Sequence, residues 1–284
     1  MSLTRDDMLR ELELLPAWQL RQPVAKPVVA ISPEVIELPT MAEPEVKAAT
    51  AQFEELPATE LIEAETISAV VETSLPALDV TLGQGRREAI MQLDWQSVQD
   101  CVANCQACDL AKTRTQTVFG VGDPNADWLI VGEAPGSEED RKGEPFVGQA
   151  GKLLDNMLAA IKLKRGQNVF IANVLKCRPP ENRNPHADEV AMCDPFLKRQ
   201  VELIKPKLII ALGKFAAQSL LGSEDTISSM RGKLHDFHGV PVVVTYHPAY
   251  LLRSLPEKAK AWEDLCFANK AMRHLQESAS ANDS

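Results

Sequence analysis

Four short apolar runs stand out in the second half of the chain. Each is bounded by turn residues and rich in β-branched side chains, which is typical of strands buried on both faces of a sheet. The runs are Trp128–Val131, Val169–Val174, Leu208–Leu212 and Val242–Tyr246. They predict four buried strands.

Between these runs, apolar residues recur every three or four positions, which predicts helices. The helical stretches cover residues 153–161, 190–201, 215–221 and 259–272, and another leads from 90 to 102. Strands alternate with helices, so we expect an α/β fold. The predicted architecture is a three-layer α/β/α sandwich around a four-stranded parallel sheet.

The first 85 residues differ from the rest in composition. They mix Pro, Glu, Ala and Val without a sustained period, which predicts a mostly disordered, acidic, Pro-rich extension. A short helical pattern at 3–20 indicates either a docking helix for an unknown protein partner or a frayed end. We therefore divide the chain into an extension at 1–85, a folded domain at 86–277 and a disordered tail at 278–284.

The acidity of the chain lies in this extension. Residues 1–85 hold 15 acidic and 5 basic side chains, which already equals the net charge of -10. Residues 86–284 then hold 25 of each sign (40 minus 15 and 30 minus 5) and are neutral. The overall charge therefore does not argue against nucleic-acid binding by the folded domain.

The sequence also bears on location. No apolar run approaches the roughly 20 residues of a membrane span, and the charged first ten residues lack the apolar core of a signal peptide. We expect a cytoplasmic protein without a membrane partner. Six cysteines in such a chain favour metal binding or free thiols over a disulfide framework.

The cysteines are candidate metal ligands. Cys105 and Cys108 are separated by two residues, a spacing that lets both thiolates turn onto one metal centre. Cys177 and Cys193 would complete a set of four, which suits a [4Fe–4S] cluster, zinc or unliganded thiols. Cys266 is expected in the core of the last helix.

Several polar segments follow the predicted strands. In an open parallel sheet the ligand lies beyond the carboxyl ends of the strands. The segments at that rim are 132–136, 173–177, 213–214 and 247–250. Taken singly, the acidic residues after Gly132 also suit a solvated charge run, and a lone histidine at 247 also suits a structural role.

Six motifs follow one another along the chain. In order they are Cys-x-x-Cys at 105–108, Gly-Glu-Ala-Pro-Gly at 132–136, Gly-Glu-Pro-Phe-Val-Gly at 143–148, Asn-Val-Leu-Lys-Cys-Arg-Pro-Pro at 173–180, Cys193, and Thr-Tyr-His-Pro-Ala-Tyr-Leu-Leu-Arg at 245–253. Over residues 100–275 this combination resembles the class-four uracil-DNA glycosylases. Gly136 ends the second of these motifs as in that class, whereas a sister class typically has alanine there.

The resemblance implies an enzyme that hydrolyses the N-glycosidic bond of deoxyuridine in DNA, releasing uracil and leaving an abasic site. It implies that Phe146 stacks on the flipped uracil, Asn173 reads its edge, and His247 donates to its O2. Ala134 joins the base pocket. Either Glu133 or Glu139 orients the water or stabilises the sugar cation.

The resemblance also implies a [4Fe–4S] cluster and a DNA-binding face. The cluster ligands are Cys105, Cys108, Cys177 and Cys193. The DNA contacts are assigned to Arg231, Lys233, Tyr250, Leu251 and Arg253. Residues 250–252 suit either a wedge into the DNA or a helix start packed on the sheet.

The expected substrate is single-stranded or mismatched DNA that contains uracil, bound by a monomer. Two rival hypotheses remain at this point. One is a non-catalytic iron–sulfur protein that binds or senses DNA on the same fold. The other is a zinc-stabilised hydrolase that acts on another base or nucleoside.

Overall fold

A computed structural model describes residues 83–282, all within one compact unit that begins at Leu78. The predicted helix at 3–20 and most of the acidic extension lie outside the described residues. Within 83–282, no helix is both long and apolar enough to cross a bilayer.

The centre of the fold is a six-stranded sheet. Its strands are β1 (Val121–Gly122), β2 (Trp128–Gly132), β3 (Val169–Asn173), β4 (Leu208–Leu212), β5 (Leu234–Phe237) and β6 (Val240–Thr245). The spatial order is β1-β3-β2-β4-β6-β5. The central four strands are parallel and correspond to the four predicted runs.

The prediction of a four-stranded sheet is corrected by two antiparallel edge strands. β1 pairs with β3, and β5 forms a hairpin with β6. Neither carries the apolar run of a buried strand. β1 has only two residues, and three of the four β5 residues, Leu234, His235 and Asp236, are exposed or half-buried.

Helices follow the strands as the alternating pattern predicts. They are α1 (Gly83–Met91), α2 (Trp95–Ala103), α3 (Ser137–Lys142), α4 (Gln149–Ala160), α5 (Ala187–Ile204), α6 (Lys214–Leu221), α7 (Ile227–Met230), α8 (Pro248–Leu251) and α9 (Glu257–Asn282). Short 3₁₀ turns occupy Asp109–Lys112 and Pro180–Asn182.

The strands are buried on both faces, and successive side chains enter different cores. Leu129 and Val131 pack with residues of α1, α2, α5 and α6. Trp128 and Ile130 pack with residues of α4 and α9. The alternation follows from the two-residue period of a strand, and it produces the expected layers of helices on both faces.

The two ends of the folded domain differ from the predicted ones. α1 begins at Gly83, before the predicted domain start, and α9 continues to Asn282 through most of the segment expected to be disordered. Cys266, expected in the core, is exposed on α9. Buried Ala261, Leu265 and Ala268 form the face of α9 that packs on the sheet, and Cys266 lies outside that face.

Candidate active site

The carboxyl ends of the four parallel strands meet at one rim. Gly132 at the end of β2 pairs with Asn173 at the end of β3. Gly213 follows β4 and donates its N–H to the carbonyl of Thr245 at 2.7 Å, two residues before His247. The middle strands thus end in glycine, and the outer ones lead to Asn173 and His247.

These two glycines allow the neighbouring side chains to close on one space. A Cβ at Gly132 would lie 2.4 Å from Asn173 Oδ1 and 2.5 Å from Phe146 Cζ. A Cβ at Gly213, where φ is +90°, would lie 2.9 Å from His247 Cβ. Asn173, Phe146 and His247 therefore line a common pocket, which we call the base pocket.

Asn173 supplies a buried amide to the base pocket. The residue is 1% exposed, and among the described residues its Oδ1 has no hydrogen-bond partner. A buried acceptor without a donor costs about 1–3 kcal/mol, so this oxygen favours a ligand that brings an N–H. The backbone carbonyl of the same residue accepts from Lys176 Nζ at 2.8 Å.

Phe146 forms one wall of the pocket. Its ring lies 5.5 Å from the His247 ring between centroids, at an interplanar angle of 31°. The backbone of Phe146 is left-handed, with φ of +55°, although the residue is bulky and buried. Such a conformation persists only where the surrounding structure holds it.

His247 is a neutral hydrogen-bond donor. Its Nδ1 accepts from Ala249 N–H at 3.1 Å, so the ring proton of the neutral form lies on Nε2. Burial lowers the pKa of His247 to about 4; the charge of Arg253 adds to this and Glu139 opposes it. The ring is therefore uncharged at neutral pH.

The two candidate carboxylates lie in different surroundings. Glu139 Oε1 accepts from the N–H groups of Val147 at 2.9 Å and Gly148 at 3.1 Å, directly after Phe146. Glu133 instead lines a cleft of about 300 Å³ with residues that include Val174 and Phe215. Burial raises the pKa of Glu133 to about 7.

The predicted pocket residue Ala134 packs against a buried cluster that consists of Leu110, Leu175, Cys177 and Cys193. Its role in the base pocket stays a prediction.

The four candidate ligand cysteines are neighbours. They are free thiols, with Cys177 and Cys193 buried and Cys105 and Cys108 half-buried. Burial is the main cause that raises the pKa of Cys108, Cys177 and Cys193, the last to about 12, and the neighbouring cysteines add to the effect in each case. Within 83–282, no three metal-binding side chains enclose a position for a single ion.

Two arginines at these thiols were missed by sequence reasoning. Arg114 donates to Cys177 Sγ at 3.0 Å and to the carbonyl of Cys105 at 2.7 Å. Arg86 lies 3.7 Å from Cys105 Sγ and stacks on Phe196. No motif marks either arginine, because 63 residues separate Arg114 from Cys177.

The predicted DNA contacts divide by exposure. Tyr250, Lys233 and Arg253 are exposed at the rim. Leu251 is 1% exposed and packs in the core, so α8 agrees with the packed-helix alternative and this residue is corrected to a core position.

Arg231 is also engaged within the protein. Its Nε donates to Asp264 at 2.6 Å, and its guanidinium stacks over the Tyr246 ring. Of the predicted wedge at 250–252, Tyr250 and Leu252 are exposed.

A family model matches more than half of the chain. The model of the uracil DNA glycosylase superfamily matches residues 119–266, which contain all six strands, β1 to β6, and the whole base pocket. Cys105 and Cys108 lie before the matched region.

Curated relatives align with a longer part of the chain than the family model does. A type-4 uracil-DNA glycosylase of Archaeoglobus fulgidus is 50% identical over 159 residues, which are 53% of this chain and 79% of the relative. One of Pyrobaculum aerophilum is 41% identical over 181 residues, 61% of this chain and 92% of the relative. One of Thermotoga maritima is 43% identical over 170 residues, 59% and 86% of the two chains.

Proposed function

The chain belongs to the type-4 uracil-DNA glycosylases, and on this premise we propose how its own residues remove uracil from DNA. The enzyme hydrolyses the bond between uracil N1 and C1′ of deoxyribose. Free uracil and an abasic site are the products. Because the bond lies inside the DNA stack, the nucleotide must be flipped into a pocket.

The observation that carries the assignment of the pocket is the buried Oδ1 of Asn173, which has no partner within the described residues. Uracil offers an N3–H donor beside an O4 acceptor, and one asparagine amide can pair with both. Cytosine has this donor and acceptor exchanged. Asn173 thus reads the base, and Phe146 covers its face.

His247 stabilises the departing base. As the C1′–N1 bond lengthens, its electron pair moves onto uracil, and negative charge develops at O2. Nε2–H of neutral His247 donates to that oxygen, a contribution of about 3–4 kcal/mol for one such donor.

The two carboxylates have separate roles. Glu139, bound to the loop after Phe146 and close enough to influence His247, stabilises the positive charge at the sugar. Glu133 directly follows Gly132, which lies against Asn173 and Phe146, and burial raises the pKa of Glu133 to about 7. We assign to it the proton of the water whose oxygen bonds to C1′, because such a base suits general-base catalysis at neutral pH.

The four cysteines fit a [4Fe–4S] cluster, held by Cys105, Cys108, Cys177 and Cys193. Neighbouring thiols whose pKa is raised by burial favour a cationic metal centre, which keeps them as thiolates. When bound, the cluster supplies a fixed anchor for the loops that carry these residues. It takes no part in the hydrolysis.

The DNA-facing surface is assigned to Tyr250, Leu252, Lys233 and Arg253, which are exposed at the rim. Exposed aromatic and aliphatic side chains suit the gap left by a flipped base, and the cations suit phosphates. A single strand or a mismatched duplex is the proposed substrate, because flipping costs least there. We further propose that the enzyme is a monomer and acts in the cytoplasm.

The reading of the base is tested with Asn173→Asp. A carboxylate can accept from cytosine's amino group but cannot donate to uracil O4, so we expect uracil excision to fall and the preference for uracil over cytosine to decrease. Strand cleavage by alkali after incubation with uracil- or cytosine-containing single strands measures both rates.

Asn168→Asp is the matched control, because Asn168 directly precedes β3, at the opposite end of the strand from Asn173. Its amide contacts Asp127, away from the rim. We expect unchanged base preference in this variant. An Asn173→Asp enzyme with wild-type uracil excision and preference would contradict the proposed pocket.

A further inference from the structure

We propose that Arg165 is a positioning residue for uracil, acting through the backbone of Phe146 without touching the base. The inference rests on the proposed role of Phe146 as the wall against which uracil stacks. It adds a residue that no motif of the sequence marked.

Arg165 holds the carbonyls of the two peptide groups that flank Phe146. Nη1 donates to the carbonyl of Pro145 at 2.8 Å, and Nη2 donates to the carbonyl of Phe146 at 2.8 Å. The planar guanidinium presents these two donors in a fixed fork, which a lysine cannot reproduce. The fork therefore fixes two successive peptide groups with one side chain.

The peptide group after Phe146 is also held through its N–H. Glu139 accepts from the next two N–H groups, those of Val147 and Gly148. Helix α4 passes directly below, because a Cβ at Gly151 would lie only 1.8 Å from the Phe146 carbonyl oxygen. Together these contacts account for the left-handed backbone of a buried aromatic residue.

Arg165 is itself anchored away from the pocket. It lies in a tight turn closed by the Lys164–Gln167 bridge, and its Nε donates to Asp155 Oδ1 on α4 at 3.0 Å. Loss of the fork leaves the Phe146 and Pro145 carbonyls without their donor and frees Phe146 to relax toward an ordinary backbone conformation. The ring would then leave its place beside Asn173 and His247.

The test uses the full chain with Arg165→Gln and Arg165→Lys. We expect single-turnover excision of uracil to fall roughly 10- to 100-fold in the glutamine variant, the range for misplacement of a contact group by about 1 Å. Lysine should recover only part of this rate. Inhibition by free uracil should weaken in parallel, whereas binding of DNA with an abasic site should not change.

A double-mutant cycle separates positioning from a general structural effect. If Arg165 acts through Phe146, then Arg165→Gln adds no further loss of rate in a Phe146→Ala enzyme. An equal loss in both backgrounds would overturn the inference. Asp155→Asn, which removes the anchor of Arg165, gives a milder second route should Arg165→Gln fold poorly, and it should follow the same pattern.

Arg199→Gln is the matched control. Arg199 also donates to a backbone carbonyl, that of Leu93 at 2.6 Å, and to a carboxylate, that of Glu202 at 2.8 Å, but on the other face of the sheet. We expect a comparable decrease in Tm with an unchanged excision rate. If Phe146→Ala does not slow excision, the role of Phe146 fails; if it does and Arg165→Gln does not, the Arg165 inference fails alone.

Discussion

The base pocket and the group of four cysteines lie at the same rim of the sheet but are held together in different ways. In the pocket, Phe146 is fixed by hydrogen bonds from the protein itself. The cysteines are neighbouring thiols, and burial raises the pKa of Cys108, Cys177 and Cys193. Arg114 and Arg86 are donors at their edge. The protein's own hydrogen bonds hold the pocket, whereas the proposed metal centre would give the cysteines a defined geometry.

One buried side chain joins these regions. Lys176, directly before Cys177, donates from Nζ to the carbonyl of Asn173 and, at 2.6 Å, to Gln200 Oε1. It is 1% exposed, and burial lowers its pKa to about 7, while Cys193 and Cys177 oppose that shift. We therefore expect substitutions in the base pocket and in the cysteine group to have different effects, with Lys176 as a link between the two regions.

The largest expected effect is in the cysteine region. Cys177→Ser should lose nearly all bound iron and sulfide, because one of four ligands is removed and the hydroxyl is a poor substitute for a thiolate. Iron and acid-labile sulfide per chain measure this. Cys266→Ser, on the exposed face of α9, is the control and should keep both. Equal loss in the two variants would refute the ligand assignment.

The next effect separates the pocket from the cysteines. His247→Ala should slow excision by about 10²- to 10³-fold, the loss expected for one oxyanion donor, and leave the preference for uracil over cytosine intact. Single-turnover rates on both bases test this, and unchanged iron content shows that the cysteine region is unaffected. A large change in base preference would assign His247 to reading the base instead.

The smallest effect distinguishes the two carboxylates of the rim. With a pKa near 7, Glu133 loses its basic form as the pH falls, so the excision rate should decrease about tenfold per pH unit below 7. His247 stays neutral down to about pH 4 and does not cause this decrease of the rate. Glu133→Gln should be slower and lack this decrease. If the decrease at low pH persists in this variant, a group other than Glu133 accepts the proton.

Much of the fold follows from periodicity. The four parallel strands and the helices between them are visible as apolar patterns, because each strand is buried on both faces. The edge strands were missed because β1 is too short and β5 too polar to form such a pattern. The end of α9 was missed because its last turns carry small and polar residues.

The candidate site could also be predicted only in part. Strand ends locate Asn173 and His247 directly, since carboxyl ends of parallel strands meet at one rim. The contacts of Arg165 with Phe146 and of Arg114 with Cys177 span 19 and 63 residues and carry no periodic signal. The burial of Leu251 beside exposed Tyr250 and Leu252 depends on how α8 meets the sheet, which no local pattern records.

The spacing of the cysteines along the chain has a consequence for synthesis. Cys108 and Cys193 are 85 residues apart (193 minus 108), so at about 5–20 residues per second the first pair of thiols leaves the ribosome roughly 4–17 s before the last. All four thiols precede β4 and β6 in the chain. The proposed cluster could therefore be inserted before β4 and β6 are synthesised, and His247 is the last pocket residue to be made.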